Sequence, residues 1–141
     1  MIYLDTNIII YAIENHPKYG NSCKQILEDI QNKKLKASSS ILVLIEIINV
    51  LTKINKIIKS KKENELNIKE NINAILSIPI TWIDLGLFII KLASEYNHNI
   101  SGVDYIHIAS MEVNSIKKII SADIELDKVH SISRIDPLKY T

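Results

Sequence analysis

Glycine, proline and cysteine are all scarce in this chain, with three, three and one among 141 residues. A sequence so poor in the two residues that punctuate loops should consist mostly of regular elements with short connections. The lone Cys23 excludes an internal disulfide and, lacking a CxxC companion, a thiolate zinc site. Charge of one sign is not in excess: 17 Lys and Arg face 16 Asp and Glu, for a formal net charge of +1. Contact with nucleic acid would therefore need local lysine clusters, not a basic surface overall. Long apolar runs are missing too. The longest, Ile41 to Leu51, is interrupted by Glu46 and falls well short of the roughly 20 residues that span a bilayer. The first residues carry neither the basic opening nor the small-residue cleavage site of a secretion signal. Together these absences predict a cytoplasmic protein.

What is present is a chain 47% apolar and rich in isoleucine, which excludes a disordered tail. Its length suits one domain, residues 1–141, with a core that needs no covalent staples. The opening stretch organises the rest. Ile2, Tyr3 and Leu4 are β-type residues that run into Asp5, Thr6 and Asn7, and a helical apolar pattern comes after them. That is a buried strand ending in a carboxylate. In open parallel sheets the functional crevice lies outside the carboxyl ends of the strands, which puts Asp5 at its lip. Asp5 or Asn7 could equally cap the next helix.

Further along, the spacing predicts a short helix ending near His16-Pro17 and a second over Ser22 to Asn32, with Cys23, Ile26, Leu27 and Ile30 as its stripe. A basic turn (Lys33, Lys34, Lys36) leads into a brief strand at Leu35 to Ser39, and Ser39 or Ser40 can cap the helix after it. Ile41 to Lys59 is apolar nearly all round in its first half, which predicts a central, buried helix. Glu46 sits inside it. An unpaired charge there would cost several kcal/mol, so Glu46 must either be paired or point into a polar cleft. The helix turns basic at Lys53, Lys56, Lys59, Lys61 and Lys62; this is either a solvated helix end, favourable to its dipole, or a rim for phosphates. An amphipathic helix over Asn67 to Ser77 and a strand over Ile80 to Ile83 come next. Asp84 is expected to cap a helix of Leu85 to Tyr96. Ser101 and Asp104 have the spacing of a capping box for a helix running to about Asn114, with His107 one turn on from Asp104. A histidine so placed is more often packed than a ligand. Lys118 to Ser121 reads as a strand, and Ser121-Ala122-Asp123 repeats the opening device. A helical turn at Ile124 to Asp127 and a short edge strand within Ser131 to Ile135 complete the chain.

Alternating strands and helices imply a three-layer α/β/α sandwich with a mostly parallel central sheet. Asp5 and Asp123 then lie at the carboxyl edge of two strands, Asp104 at a helix N-terminus that can face that edge, and Glu46 about a turn and a half into a helix that begins just after a strand, so that it too can lean over it. Two carboxylates about 4 Å apart repel by roughly 4 kcal/mol at an effective dielectric near 20. Three or four together stay ionised only if a cation joins them. No lysine or arginine lies within the acid-bearing turns, so a divalent ion is the expected partner, and all-oxygen ligands favour magnesium or manganese. Such ions activate water and stabilise the leaving oxygen of a phosphodiester.

Taken in order, Leu4-Asp5-Thr6-Asn7, Glu46 in an apolar helix, Val103-Asp104 opening another, and Ser121 to Asp127 resemble the PIN-domain ribonucleases, especially the VapC-type toxins of toxin–antitoxin pairs. The likeness covers the whole chain, and Ser133 to Pro137 also looks like the family's last segment. It implies that Asp5, Glu46, Asp104 and Asp123 are catalytic acids binding one or two Mg2+ or Mn2+ ions. Asp127 matches a further acid of some members, and Thr6, Asn7 and Ser121 match polar supports. It further implies endonucleolytic cleavage of RNA, a homodimer and a cognate antitoxin, with Lys56, Lys59, Lys61 and Lys62 available to RNA. Leu126 departs from the family, standing where an aromatic residue is frequent. A housekeeping RNA-processing nuclease, or a catalytically weak RNA-binding domain, keeps the same fold. A phosphorelay receiver would need paired acids after the first strand and a late lysine, and a haloacid-dehalogenase-like phosphatase an acid in place of Asn7; neither requirement is met.

Overall fold

The computed structural model describes residues 1–61 and 64–140. Five strands form one sheet in the order β3-β2-β1-β4-β5, and every neighbouring pair is parallel. They are β1 (Ile2–Leu4), β2 (Ala37–Ser40), β3 (Thr81–Ile83), β4 (Lys118–Ile120) and β5 (Ser133–Ile135). Helices α1 (Thr6–Ile13) and α2 (Gly20–Gln31) link β1 to β2, and α3 (Ile41–Ser60) and α4 (Ile68–Ser77) link β2 to β3. The chain then crosses from one edge of the sheet to the far side of β1 through α5 (Leu87–Ala93) and α6 (Gly102–Val113).

Period-two alternation along the strands feeds two cores. From β1 and β4, Leu4 and Ile120 pack with Ile8, Cys23, Ile26 and Ile30 of the first two helices. Their neighbours Tyr3 and Ile119 pack with Ile108 and Met111 of α6. The sheet is thus filled on both faces, as a parallel sheet requires, and the three-layer expectation holds. Strand order reverses at β1: the path from β1 leads to β2 on one side, while the path from β4 leads to β5 on the other. That switch point opens a crevice beyond the ends of β1 and β4, where Asp5 and the loop holding Asp123 lie.

Three local expectations are overturned. Asp84 caps nothing: α5 starts at Leu87 with Gly86 as its N-cap residue and no side-chain cap. Ser101 occupies the N-cap position of α6 but makes no side-chain cap bond, so the capping box with Asp104 does not form. Nor is α3 buried all round. Leu42, Val43, Ile47 and Leu51 face the core, whereas Ile45 and Ile48 are exposed, because α1 and α4 cover one side of the helix only.

Candidate active site

Asp5 terminates β1 and caps α1. Its Oδ1 accepts the Thr6 N–H at 2.8 Å, and its Oδ2 accepts the Ser121 hydroxyl at 2.6 Å and the Asn7 amide at 3.3 Å. The cap and the crevice positions are therefore one and the same. Asn7 also accepts the Ala122 N–H at 3.2 Å, which ties the turn after β1 to the turn after β4. Asp123 repeats the arrangement at the 3-10 turn Ile124–Lys128, where it accepts the Glu125 N–H at 3.0 Å.

Glu46 comes from α3, whose start is fixed by Ser40: the serine hydroxyl accepts the Leu42 N–H at 3.0 Å. Glu46 turns inward over α1. Its Oε1 accepts the Thr6 hydroxyl at 2.8 Å and meets His107 Nε2 at 2.6 Å. His107 is buried, and its other ring nitrogen, Nδ1, lies 2.5 Å from the Tyr3 hydroxyl. Tyr3 in turn accepts the Ser40 N–H at 3.1 Å. Asp104, one turn before His107, is half-buried and faces the same space.

These side chains line an open cleft of about 410 Å3. Its walls are Asp5, Thr6, Asn7, Glu46, Asp104 and Asp123, with Ile10, Tyr11, Glu14 and Val50 beyond them. Among the described residues no lysine or arginine lines it. The acids feel one another. Burial first, then Asp5 and Asp123, with Glu46 adding less, push the Asp104 carboxyl up from 3.8 to about 6, and His107 only partly offsets them. For Glu46, burial opposes ionisation, but the His107 hydrogen bond and charge and the Thr6 hydroxyl outweigh it and hold the carboxyl below its usual value. Burial would likewise depress His107; the bond to Glu46, with Asp5 and Asp104 nearby, raises it instead.

All four predicted acids are thus brought to one cleft, with Thr6, Asn7 and Ser121 bonded among them. Asp127 goes elsewhere. Both its oxygens are taken by the Arg134 guanidinium, at 2.9 and 3.1 Å, and it does not line the cleft. Arg134 follows Asp127 by seven residues, and the parallel pairing of β5 with β4 brings it back beside the acid. Lys56, Lys59 and Lys61 are exposed along the far half of α3, and Lys62 lies outside the described residues. The residue that sequence reasoning left without a role is His107. Its spacing from Asp104 put it on the right face, but the buried Tyr3 and Glu46 that engage it come from other elements.

Four carboxylates at the switch point of a parallel α/β sheet define an acid-lined hydrolase-type site, chemically suited to a hard divalent cation. Even so, among the described residues no three His, Cys, Asp or Glu side chains already surround one point as ligands. The donor chemistry suits an ion, but no three of these acids converge on one point in this arrangement. A sequence profile of the PIN domain matches residues 2–131, so the chain belongs to the PIN-domain family, a family of nucleases. The fold is similar to that of VapBC2 from Rickettsia felis, solved bound to a DNA fragment from its promoter, with a TM-score of 0.67, 23% identity, and 96% of this chain and 98% of that one covered. A toxin–antitoxin complex from Klebsiella pneumoniae is similar at a TM-score of 0.65 and 15% identity, covering 97% and 98%. No curated protein matches the sequence.

Proposed function

We propose that the chain is a divalent-metal-dependent endoribonuclease, acting as one PIN-like unit over residues 1–141 and serving as the toxin of a toxin–antitoxin pair in the cytoplasm. The observation that carries this is the meeting of Asp5, Glu46, Asp104 and Asp123 in one open cleft lined, among the described residues, by no lysine or arginine. Asp5 and Asp123 would be the most rigid ligands, since backbone N–H groups fix one oxygen of each. Asp104 has no capping duty and is the acid freest to move onto an ion. One or two Mg2+ or Mn2+ ions bound there would lower the pKa of an attacking water and stabilise the leaving oxygen of a phosphodiester. Thr6 and Ser121 hold Glu46 and Asp5 in place while the scissile phosphate enters from the open side. Asp127, occupied by Arg134, is left out of the proposed ligand set.

Replacing Asp5 by Asn keeps shape and removes charge. The Asp5→Asn protein should fold with the wild-type circular dichroism spectrum and lose magnesium-dependent RNA cleavage down to background. Cleavage retained in that variant would remove Asp5 from the mechanism.

Two features support partners. The apolar side chains Ile45, Val103 and Ile124, each next in sequence to a site acid, are exposed, as are Leu87 (89%) and Phe88 (69%) on α5. Such surface suits a second copy of the chain and an antitoxin that covers the cleft. The complexes named for the two similar folds are in keeping with the latter. Growth arrest on expression, relieved by a co-expressed small neighbouring protein, would support the toxin role. Harmless expression of an active enzyme would instead favour housekeeping RNA processing.

A further inference from the structure

The hydrogen-bond chain behind Glu46 has no part in the function so far. We infer that His107, itself locked by Tyr3, is a positioning residue for Glu46: it fixes which carboxylate oxygen the cleft receives. This rests on the metal-nuclease proposal above.

The partners assign the protons. Tyr3 accepts the Ser40 N–H, and its one hydroxyl proton is free to be donated to His107 Nδ1. A neutral imidazole that accepts at Nδ1 carries its proton on Nε2. A protonated imidazole carries one there as well. In either state His107 Nε2–H donates to Glu46 Oε1, 2.6 Å away, so the orientation does not depend on the charge of the ring. The Thr6 hydroxyl donates to the same oxygen at 2.8 Å. Oε1 is thereby saturated by two donors. Oε2 has no protein partner among the described residues and is left to the cleft that Glu46 lines.

The chain is also rigid. Tyr3 and His107 are 0% and 2% exposed, and their rings meet edge to face with centroids 5.6 Å apart. Tyr3 belongs to the central strand and Ser40 ends its neighbour, so the sheet itself sets where His107 stands and, through it, where Glu46 points. A ligating carboxylate held this way presents a single oxygen in a single direction. Outer groups of this kind alter metal affinity about 10–100-fold when removed.

The test is Mn2+ binding to the full-length protein, followed by electron paramagnetic resonance of the free ion and by calorimetry, without reference to RNA cleavage. His107→Leu fills the space without a donor, while His107→Gln extends an N–H to about the same place. The leucine variant should bind Mn2+ about 10–100-fold more weakly than wild type, and the glutamine variant should recover most of that loss. Tyr3→Phe keeps the ring and removes only the hydroxyl that locks Nδ1; it should fall between them, and it carries the test if His107→Leu does not fold. Wild-type affinity in folded His107→Leu or in Tyr3→Phe overturns the inference. So does a glutamine variant as weak as the leucine one, because the role would then be packing. Wild-type protein that binds no Mn2+ fails the metal reading itself and takes this inference with it.

Discussion

At the scale of single residues, Asp104 shows most directly what the cleft costs the fold. Its folded-state pKa of about 6 lies above the ordinary 3.8, so the proton it holds stabilises the native protein in full below about pH 4. That contribution is lost as pH rises through about 6. Above it, a half-buried carboxylate stands ionised among Asp5, Asp123 and Glu46. Asp104→Asn should therefore raise the melting temperature of metal-free protein at pH 7.5, with the gain shrinking towards pH 4. Saturating Mg2+ or Mn2+ should stabilise wild type more than the variant, since the repulsion that destabilises one form is what binds the ion in the other. Differential scanning calorimetry at three pH values, with and without metal, checks both signs. How far the site was legible also shows at this scale. Asp5, Asp104 and Asp123 could be picked out from the sequence because they stand at the ends of elements, and Glu46 because it is a lone charge in an apolar helix. His107 could not be given its role, since Tyr3, Glu46 and Asp5 lie 104, 61 and 102 positions away from it along the chain.

At the scale of elements, the scarcity of glycine leaves a visible mark. Helix α2 ends with Lys34 N–H bonding Asp29 C=O at 2.8 Å and Lys33 N–H bonding Ile30 C=O at 3.0 Å, the paired bonds of a Schellman ending. Its left-handed residue is Lys33, with φ of 60°, where glycine is usual. Helix α6 ends the same way on Ser115, with φ of 55°, sealed by the apolar contact of Ile116 with Met111. An L-residue there carries about 1–2 kcal/mol of steric cost, partly offset because glycine has more entropy to lose. Lys33→Gly should accordingly stabilise the protein by about 0.5–1 kcal/mol, raising the urea midpoint without changing the slope of the transition. An unchanged or lower midpoint would mean that the lysine side chain compensates. Legibility was uneven among the elements for related reasons. The long isoleucine-rich helices were found within a residue or two. β2, with the sequence Ala-Ser-Ser-Ser, has little strand propensity of its own and persists because β1 and β3 bond it on both sides. The supposed caps at Asp84 and Ser101 failed because cap spacing is common and says nothing of where a side chain is otherwise engaged.

For the whole molecule, the charge distribution bears on substrate. A net charge of +1 gives no general attraction to RNA, so the RNA binding proposed above would have to draw on local lysines such as those of α3. At 100° per residue, Lys53 falls on nearly the same face as Glu46, roughly 10 Å further along the helix axis. Lys56 is rotated off that face, and Lys59 lies almost opposite. Reversing Lys53 and Lys56 together should weaken RNA binding and reduce its log–log salt slope by about 0.7 per lysine engaged. Reversing Lys59 and Lys61 should do less. Filter binding between 50 and 300 mM salt, roughly the range where such slopes are resolved, separates the two pairs. Global architecture was the most legible level of all, because alternating strand and helix patterns leave few topologies open. The exposed side of α3 was not, since apolar character alone does not say whether a helix meets its own core or another chain.

The hydrogen bond from Ser121 to Asp5 closes a loop of 116 residues at the crevice. A ribosome delivers Asp5, Glu46 and Asp104 well before β4 exists, at about 5–20 residues per second. Until that strand slots in beside β1, the carboxylate of Asp5 lacks the hydroxyl that orients it and Asp123 is still unmade. On the function proposed above, the nascent polypeptide would therefore lack its complete acid cleft for most of its own synthesis. A product truncated before Ser121 would lack both the hydroxyl that orients Asp5 and the carboxylate of Asp123, and should show no RNA cleavage when assayed beside the full chain.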